Sequence, residues 1–508
     1  MSDLPAFDEL HVVSDLHMGG RAGAQILRET VRLANFIGRL AAQRPQRQLA
    51  LVLNGDVFDT LAEDVAGYVA VDDARSTVER IMNDPSFVPI WDVLAAFVKR
   101  PGRTLVIVIG NHDIEMAFPP VQRLLLARLA GDDLTARARI TISAAGAGFT
   151  CRVGGSRVYC IHGNEVDPWN YNRYEDLARV SRRLNAGQTL TQDEWQPNAG
   201  TRMVKDVMNT VKRTYAWIDL LKPETSAAVG TLLVLDPSQA KKIQQMFGVV
   251  AERRRGDAQV DARLSADAAA VSGRAGAALP PTPTPSLEQM LGPALRQGLG
   301  ERTEDMLLQA EQNYKKGAAS AGANTHAAGT ALTARTDNTL GTSQLIVDRL
   351  TGWLTGITQA EALRRALCDW LKDDKSFDEG HPDDTFNQVK ESVGPAIDFI
   401  VTGHTHLERA IDMGQGRFYF NTGTWIRLMR FTPEMLASEA AFAEVYKVLA
   451  DGRMKAIDAA TFGDEPLVLD CTSAVSICAG ADGVTGALLH VVGDGTGEPD
   501  VVKSFKRP

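Results

Sequence analysis

Five short apolar runs in this chain end in acids, asparagines or histidines: "LHVVSDLH" (10–17), "LALVLNGD" (49–56), "TLVIVIGNHD" (104–113), "RVYCIHGNE" (157–165) and "IDFIVTGHTH" (397–406). A sixth run, "RFYFNTGTW" (417–425), follows them. Their length and β-branched content mark buried strands. Helical periodicity lies between the first runs, as in "AQILRETVRLANFIGRLAAQ", with apolar residues at Ile26, Leu27, Val31, Leu33, Ala34, Ile37 and Leu40. Strand alternating with helix predicts a layered α/β domain. In such sheets ligands bind beyond the carboxyl ends of the strands. Asp15, His17, Asp56, Asn111, His112, His162, His404 and His406 are therefore expected to converge.

A lone Asp at a strand end is a turn former, and a lone His is commonly a satisfied polar group. Recurrence changes that: of nine histidines, five stand in these motifs. Residues two apart on an extended chain point the same way, so Asp15 and His17 are expected to grip one ion together, and His404 and His406 another. The donors are oxygen and nitrogen without thiolate, which suits Mn, with Fe or Zn as alternatives, over a closed structural zinc site. Seven candidate ligands are too many for one ion and about right for two. Asp56, a single acid between the clusters, is the natural bridge.

The blocks "DLH" (15–17), "GDVFD" (55–59), "GNHD" (110–113), "HG" (162–163) and "GHTH" (403–406), in this order, resemble the calcineurin-like metallophosphoesterase superfamily. The resemblance covers roughly residues 9 to 165 and 396 to 426. It implies a four-layer α/β/β/α sandwich and a metal-bridged hydroxide that attacks phosphorus in line. One divalent ion would be held by Asp15, His17, Asp56 and His406, the other by Asp56, Asn111, His162 and His404. His112 would assist the leaving group and Asp59 would orient His112. Protein phosphatases of the superfamily typically carry Arg after the G-D-x-x-D block; Thr60 stands there, against a phosphoprotein substrate. "SDLHMGG", "NGDVFD" and a helical insertion before "GHTH" are similar to bacterial UDP-2,3-diacylglucosamine hydrolases, which usually have Arg where this chain has His112.

The expected organisation is a core of 1–165 and 396–508, with 166–395 a mainly helical cap. "NAGTRMVKDVMNTVKRTYAWIDLLK", "PSQAKKIQQMFGVVAERRR" and "TQAEALRRALCDWLKDD" carry helical periodicity. Pro- and Ala/Gly/Thr-rich tracts near 255–285 and 317–343, the latter with His326, have little to bury and read as mobile loops. Trp169, Tyr171, Asn172, Arg173 and Tyr174 follow His162 closely; such aromatics mainly anchor a cap by burying area. "AERRRG" (251–256) reads as a helix end, and Arg427 as a residue in reach of the site. "EPLVLD" and "GALLHVVGD" read as further strands.

A net charge of -9 argues against a general polyanion binder. The five scattered cysteines suggest reduced thiols, and the absence of a basic-then-apolar leader suggests a cytoplasmic protein. The expected function is a metallophosphoesterase acting as a phosphodiesterase or pyrophosphatase on a small phosphate ester. A metal-dependent nuclease is the alternative enzyme, and a scaffold with a vestigial metal core the alternative of another class. Nucleic acid is a disfavoured partner, a membrane-surface contact through amphipathic helices stays open, and no oligomeric state is assigned.

Overall fold

A computed structural model describes residues 4–63, 67–69, 71, 73–167, 170–190, 195, 197–222, 358–371 and 375–508. Trp169, the helix expected at 237–255 with its basic end, the tracts near 255–285 and 317–343, and His326 lie outside the described residues. The chain divides into two compact units, the first formed by 1–205, 375–429 and 468–508, the second by 206–374 and 430–467.

The first unit is built on two sheets. One has seven strands in the order β17-β16-β15-β2-β3-β4-β5: β2 (Glu9–Val13), β3 (Leu49–Asn54), β4 (Arg103–Val108), β5 (Ile140–Ser143), β15 (Ser473–Gly480), β16 (Gly483–His490) and β17 (Asp500–Arg507). β2 to β5 run parallel, and β15 joins β2 antiparallel with Val475 opposite Val12. The other sheet has the order β1-β6-β7-β8-β10-β9: β1 (Ala6–Phe7), β6 (Phe149–Val153), β7 (Ser156–Cys160), β8 (Phe399–Thr402), β9 (Glu408–Gly414) and β10 (Arg417–Thr422). β8 pairs parallel with both β7 and β10, joining segments some 240 residues apart in sequence: Val158 stands opposite Phe399. A short pair, β11 (Arg427–Met429) with β14 (Val468–Asp470), lies outside both sheets.

Alternation within the strands builds the layers. Leu10, Val12, Ala50, Val52, Val106 and Val108 face inward and pack with Cys151, Val158, Cys160, Phe399, Val401 and Phe420 in one core between the sheets. Val13, Leu51, Leu53, Leu105 and Ile107 face outward and meet α1 (Thr30–Ala42), α2 (Ala74–Met82), α3 (Val88–Lys99) and α4 (Pro119–Ala130). α5 (Tyr174–Asn185) adds Tyr174, Leu177 and Val180 to that core. On the far side, Phe386 and Val389 of α7 (Asp384–Ser392) cover Ile400 and Tyr419. The first unit is thus an α/β/β/α sandwich. Strands covered on both faces read as continuous apolar runs, which is why β3 and β4 were plain in the sequence.

Two expectations are corrected. The first helix begins at Thr30, so Ile26 and Leu27 are buried ahead of it, while Val31 is 63% exposed. The helix expected over 198–222 is instead a helical turn (Ala199–Arg202), a π-helical stretch (Met203–Met208), a second turn (Asn209–Lys212) and a 3-10 turn (Ala216–Leu220). Tyr215 leaves helical geometry at φ -123, ψ 74. The buried Trp217 then donates its indole N–H to Leu449 O at 3.2 Å, an exchange a continuous helix would not allow.

In the second unit the described part holds α6 (Gln359–Leu371), α8 (Glu439–Asp451), α9 (Met454–Ala459) and a hairpin of β12 (Thr461–Phe462) and β13 (Glu465–Pro466). Ser438 caps α8 by accepting Ala441 N–H at 3.1 Å, and Gly452 ends it at φ +70. No helix among the described residues is long and apolar enough to cross a membrane.

Candidate metal centre

Each candidate residue sits just past a strand end. Asp15 and His17 follow β2, Asp56 follows β3, Asn111 and His112 follow β4, His162 follows β7, and His404 and His406 follow β8. The turns are laced together by backbone bonds: Asp15 N–H to Gly55 O (3.1 Å), His17 N–H to Asp56 O (2.9 Å) and Gly403 N–H to His162 O (2.8 Å).

Asp15 (φ 53), His17 (φ 46), Asp56 (φ 51), His404 (φ 73) and His406 (φ 61) all have left-handed backbones. Among the described non-glycine residues only Arg44 and Gln415 share that sign. Such conformations are uncommon outside glycine and concentrate at functional sites. The extended chain assumed for Asp15 with His17 and for His404 with His406 is therefore absent, and only the first pair shares a cluster. His404 joins Asp56 and His162, while His406 joins Asp15 and His17.

In the first cluster, the ligating atoms of Asp15, His17 and His406 lie within 4.8 Å of one another. His406 Nε2 is 3.3 Å from Asp15 Oδ1 and 2.9 Å from His17 Nε2. In the second, Asp56, His162 and His404 are equally close. Asp56 Oδ2 stands 3.2 Å from His162 Nε2 and 3.8 Å from His17 Nε2, so it lies between the two clusters. His17, Asp59 and His112 form a third group. In it His112 Nδ1 is 3.0 Å from Asp59 Oδ1, and His112 N–H donates to Asp56 Oδ1 at 2.8 Å.

The surroundings favour cation binding. His162 Nδ1 is 2.8 Å from Asn54 O, a carbonyl that can only accept, which puts a proton on Nδ1 and leaves Nε2 as the atom that faces Asp56. His162 Nε2 and Asn111 Oδ1 are buried without a hydrogen bond. Burial, then the neighbouring His112 and His406, push the His17 imidazole down to about 3, so it is neutral. Burial opposes charge on His162, but Asp56 outweighs it and holds that imidazole at about 10. Asp56 itself is desolvated, yet the His162 and His112 charges hold it well below the usual carboxylate range. Buried carboxylates, the neutral His17 imidazole and an orphaned amide oxygen are a donor set for hard or borderline divalent cations, and the residues present fit such ions.

Glycines make room for this packing. A Cβ on Gly55 (φ +91) would lie 2.2 Å from His162 Nδ1, and one on Gly110 would lie 2.1 Å from Asp56 Oδ1.

The structure adds residues that the sequence reading left without a role. Asp167 Oδ2 lies 2.9 Å from His404 Nε2. Asp113 accepts Gly110 N–H and Val57 N–H, each at 2.7 Å, tying the "GNHD" turn to the "GDVFD" turn. Burial, reinforced by Asp56, raises its carboxyl to about 8. Asp113 stands inside the quoted "GNHD" block, whereas Asp167 lies just past the quoted "RVYCIHGNE" run. Thr60 donates its hydroxyl toward His112 O and Glu115 Oε2, 2.7 Å from each, and so buttresses the His112 turn. Asn172 Nδ2 donates to Gly110 O (2.8 Å), and Tyr174 is buried with its hydroxyl 3.3 Å from Glu165 Oε1. Tyr171 is 43% exposed, Arg173 is paired with Asp176 at 3.0 Å, and Arg427 is buried in β11.

The calcineurin-like phosphoesterase family model matches residues 10–218. With the sandwich and the His/Asp clusters, this identifies a metallophosphoesterase domain in the chain. The protein is a metallophosphoesterase, a hydrolase of phosphate esters. His404 and His406 lie beyond the matched stretch and reach the site on β8. No curated protein matches the chain.

Proposed function

We propose that this protein is a phosphodiesterase or pyrophosphatase acting on a small phosphate ester with two divalent cations. One cation is assigned to Asp15, His17, Asp56 and His406, and the other to Asp56, Asn111, His162 and His404. The observation that carries this reading is Asp56, whose Oδ2 faces His162 on one side and His17 on the other. Mn²⁺ is the first choice for such mixed oxygen and nitrogen donors. When bound, the ions neutralise charge on the phosphoryl group and acidify water for attack.

The protein's own part is positioning and proton transfer. Asp59 holds His112 through Nδ1, leaving Nε2 to give a proton to the departing alkoxide as the P–O bond to it breaks and the bond from water oxygen forms. Thr60 and Asp56 fix the His112 backbone from two sides, which sets the imidazole before substrate arrives. Five free thiols, with Cys151 and Cys160 buried between the sheets, suit a reducing compartment such as the cytoplasm.

The test is hydrolysis of bis(4-nitrophenyl) phosphate and 4-nitrophenyl phosphate by metal-stripped protein reloaded with Mn²⁺. Diester turnover that Asp56→Asn abolishes supports the reading. Turnover of the monoester alone, or turnover that survives Asp56→Asn, overturns it.

A further inference from the structure

A cavity of about 400 Å³ in the first unit has His406 in its wall. It runs along the loop after β8, the strand β11 and the segments 469–473 and 490–493. That volume is in the range of small-molecule sites.

The polar side chains of its wall are already engaged. All three guanidinium nitrogens of Arg32 have partners: Nε donates to Gly493 O at 2.6 Å, Nη1 lies 3.4 Å from Thr472 Oγ1, and Nη2 pairs with Glu29 at 3.2 Å. His490 Nε2 is 2.7 Å from Glu408 Oε2. Asp470 receives a two-point bond from Arg28 at 2.5 Å. Thr472 and Ser473 hydroxyls donate to Val491 O (2.7 Å) and Thr422 O (2.6 Å).

What the wall offers an occupant is therefore hydrocarbon: Phe377, Leu407, Leu428, Leu469, Val491 and Val492. Phe377 and Val492 are 40% and 43% exposed, large apolar side chains left in water at the cavity. With its cations paired, the wall has little to give a second phosphate or a polyanionic strand.

We infer that this cavity is a subsite for an apolar ester arm of the substrate, an alkyl or aryl group attached to the phosphorus that reacts beside His406. The inference rests on the phosphoesterase reading and deepens it. The occupant follows from continuity, because the same His406 belongs to the Asp15/His17 cluster and to the cavity wall. A phosphate held at that cluster has one substituent directed along the apolar wall. Leu407, next in sequence to His406, makes the first contact beyond it.

The experiment separates binding from turnover. Calorimetry of methylphosphonate and hexylphosphonate against Mn²⁺-loaded full-length protein reads the subsite without catalysis. Burying the extra methylenes is expected to tighten hexylphosphonate by about tenfold or more. Val492→Trp, at the rim, is expected to bring the ratio of the two affinities back to about one. Equal affinities in the unmodified protein overturn the inference, as they would if another part of the chain filled the cavity. A ratio that Val492→Trp leaves intact overturns it as well. In parallel, methyl and hexyl 4-nitrophenyl phosphate are assayed with Asp56→Asn as control. A hexyl preference in binding with no turnover of either diester would sink the diesterase reading alone, whereas turnover without preference would sink the subsite alone.

Discussion

Asp167 Oδ2 stands 2.9 Å from Nε2 of His404, and the same oxygen accepts Asn170 Nδ2–H at 2.6 Å. A carboxylate on one imidazole nitrogen fixes the ring and raises the basicity of the other. Asp167→Asn is expected to weaken one of two Mn²⁺ sites by about tenfold, the lower end of what such partners contribute. Metal titration by calorimetry, read beside thermal unfolding of the stripped protein, checks this. Two unchanged sites would assign Asp167 to loop structure alone.

His112 and Asp59 call for a different readout. His112→Asn is expected to lower kcat by about 10²- to 10⁴-fold without changing metal content. The loss should be smallest for 4-nitrophenolate, which leaves unaided, and largest for an alkoxide. Asp59→Asn should give a weaker form of the same pattern. A loss uniform across leaving groups would contradict proton donation by His112.

The glycine at the bottom of the site is a steric prediction. Gly55→Ala places a methyl 2.2 Å from the His162 ring at φ +91, and His162 is fully buried with nowhere to move. A destabilisation of about 2 kcal/mol or more is expected, from overpacking and left-handed strain together. Gly20→Ala, at φ +83 with open space around it, should cost only the backbone part, about 1 kcal/mol. Thermal melts in chelator compare the two directly.

Far from the metals, Glu9 is buried at the start of β2 and bonds Arg44 at 2.8 Å and Arg47 at 3.1 Å. Burial raises its carboxyl, but the hydrogen bonds of His11 and Arg44 outweigh this and hold it at about 2, against 4.5 for a free side chain. Its contribution to stability is therefore full above pH 4.5 and is lost as pH falls toward 2. Glu9→Gln should be less stable than the parent at pH 7, and the gap in urea midpoint should shrink by about half or more at pH 3. A gap that stays constant would show that packing, not charge, is lost.

How far the sequence could be read depended on which force set each feature. Buried parallel strands leave long apolar runs, and their ends carry the candidate ligands, so β2, β3, β4, β7 and β8 and the residues after them were legible. Local backbone was not: nothing in "GHTH" announces that His404 and His406 are left-handed, and the bonds that hold this turn, Asp15 accepting His404 N–H at 3.0 Å and Asn421 donating to Gly403 O at 2.7 Å, come from distant parts of the chain. Asp167 and Asp113 escaped for a related reason. Their roles are contacts across the fold, and an acid in a turn has the same appearance whether it meets a histidine or water. The segment 198–222 misled because its periodicity is real, while the burial of Trp217 decided its geometry.

β8 carries His404 and His406 into a sheet beside β7, although Asp15 was laid down 391 residues before His406. At about 5–20 residues per second, a ribosome makes the last ligand roughly 20 to 80 seconds after the first. During that interval the nascent chain holds two acids, an amide and two histidines of the proposed set, without the two histidines that follow β8. On the proposed ligand set, completion of both metal sites waits for the arrival of one four-residue strand.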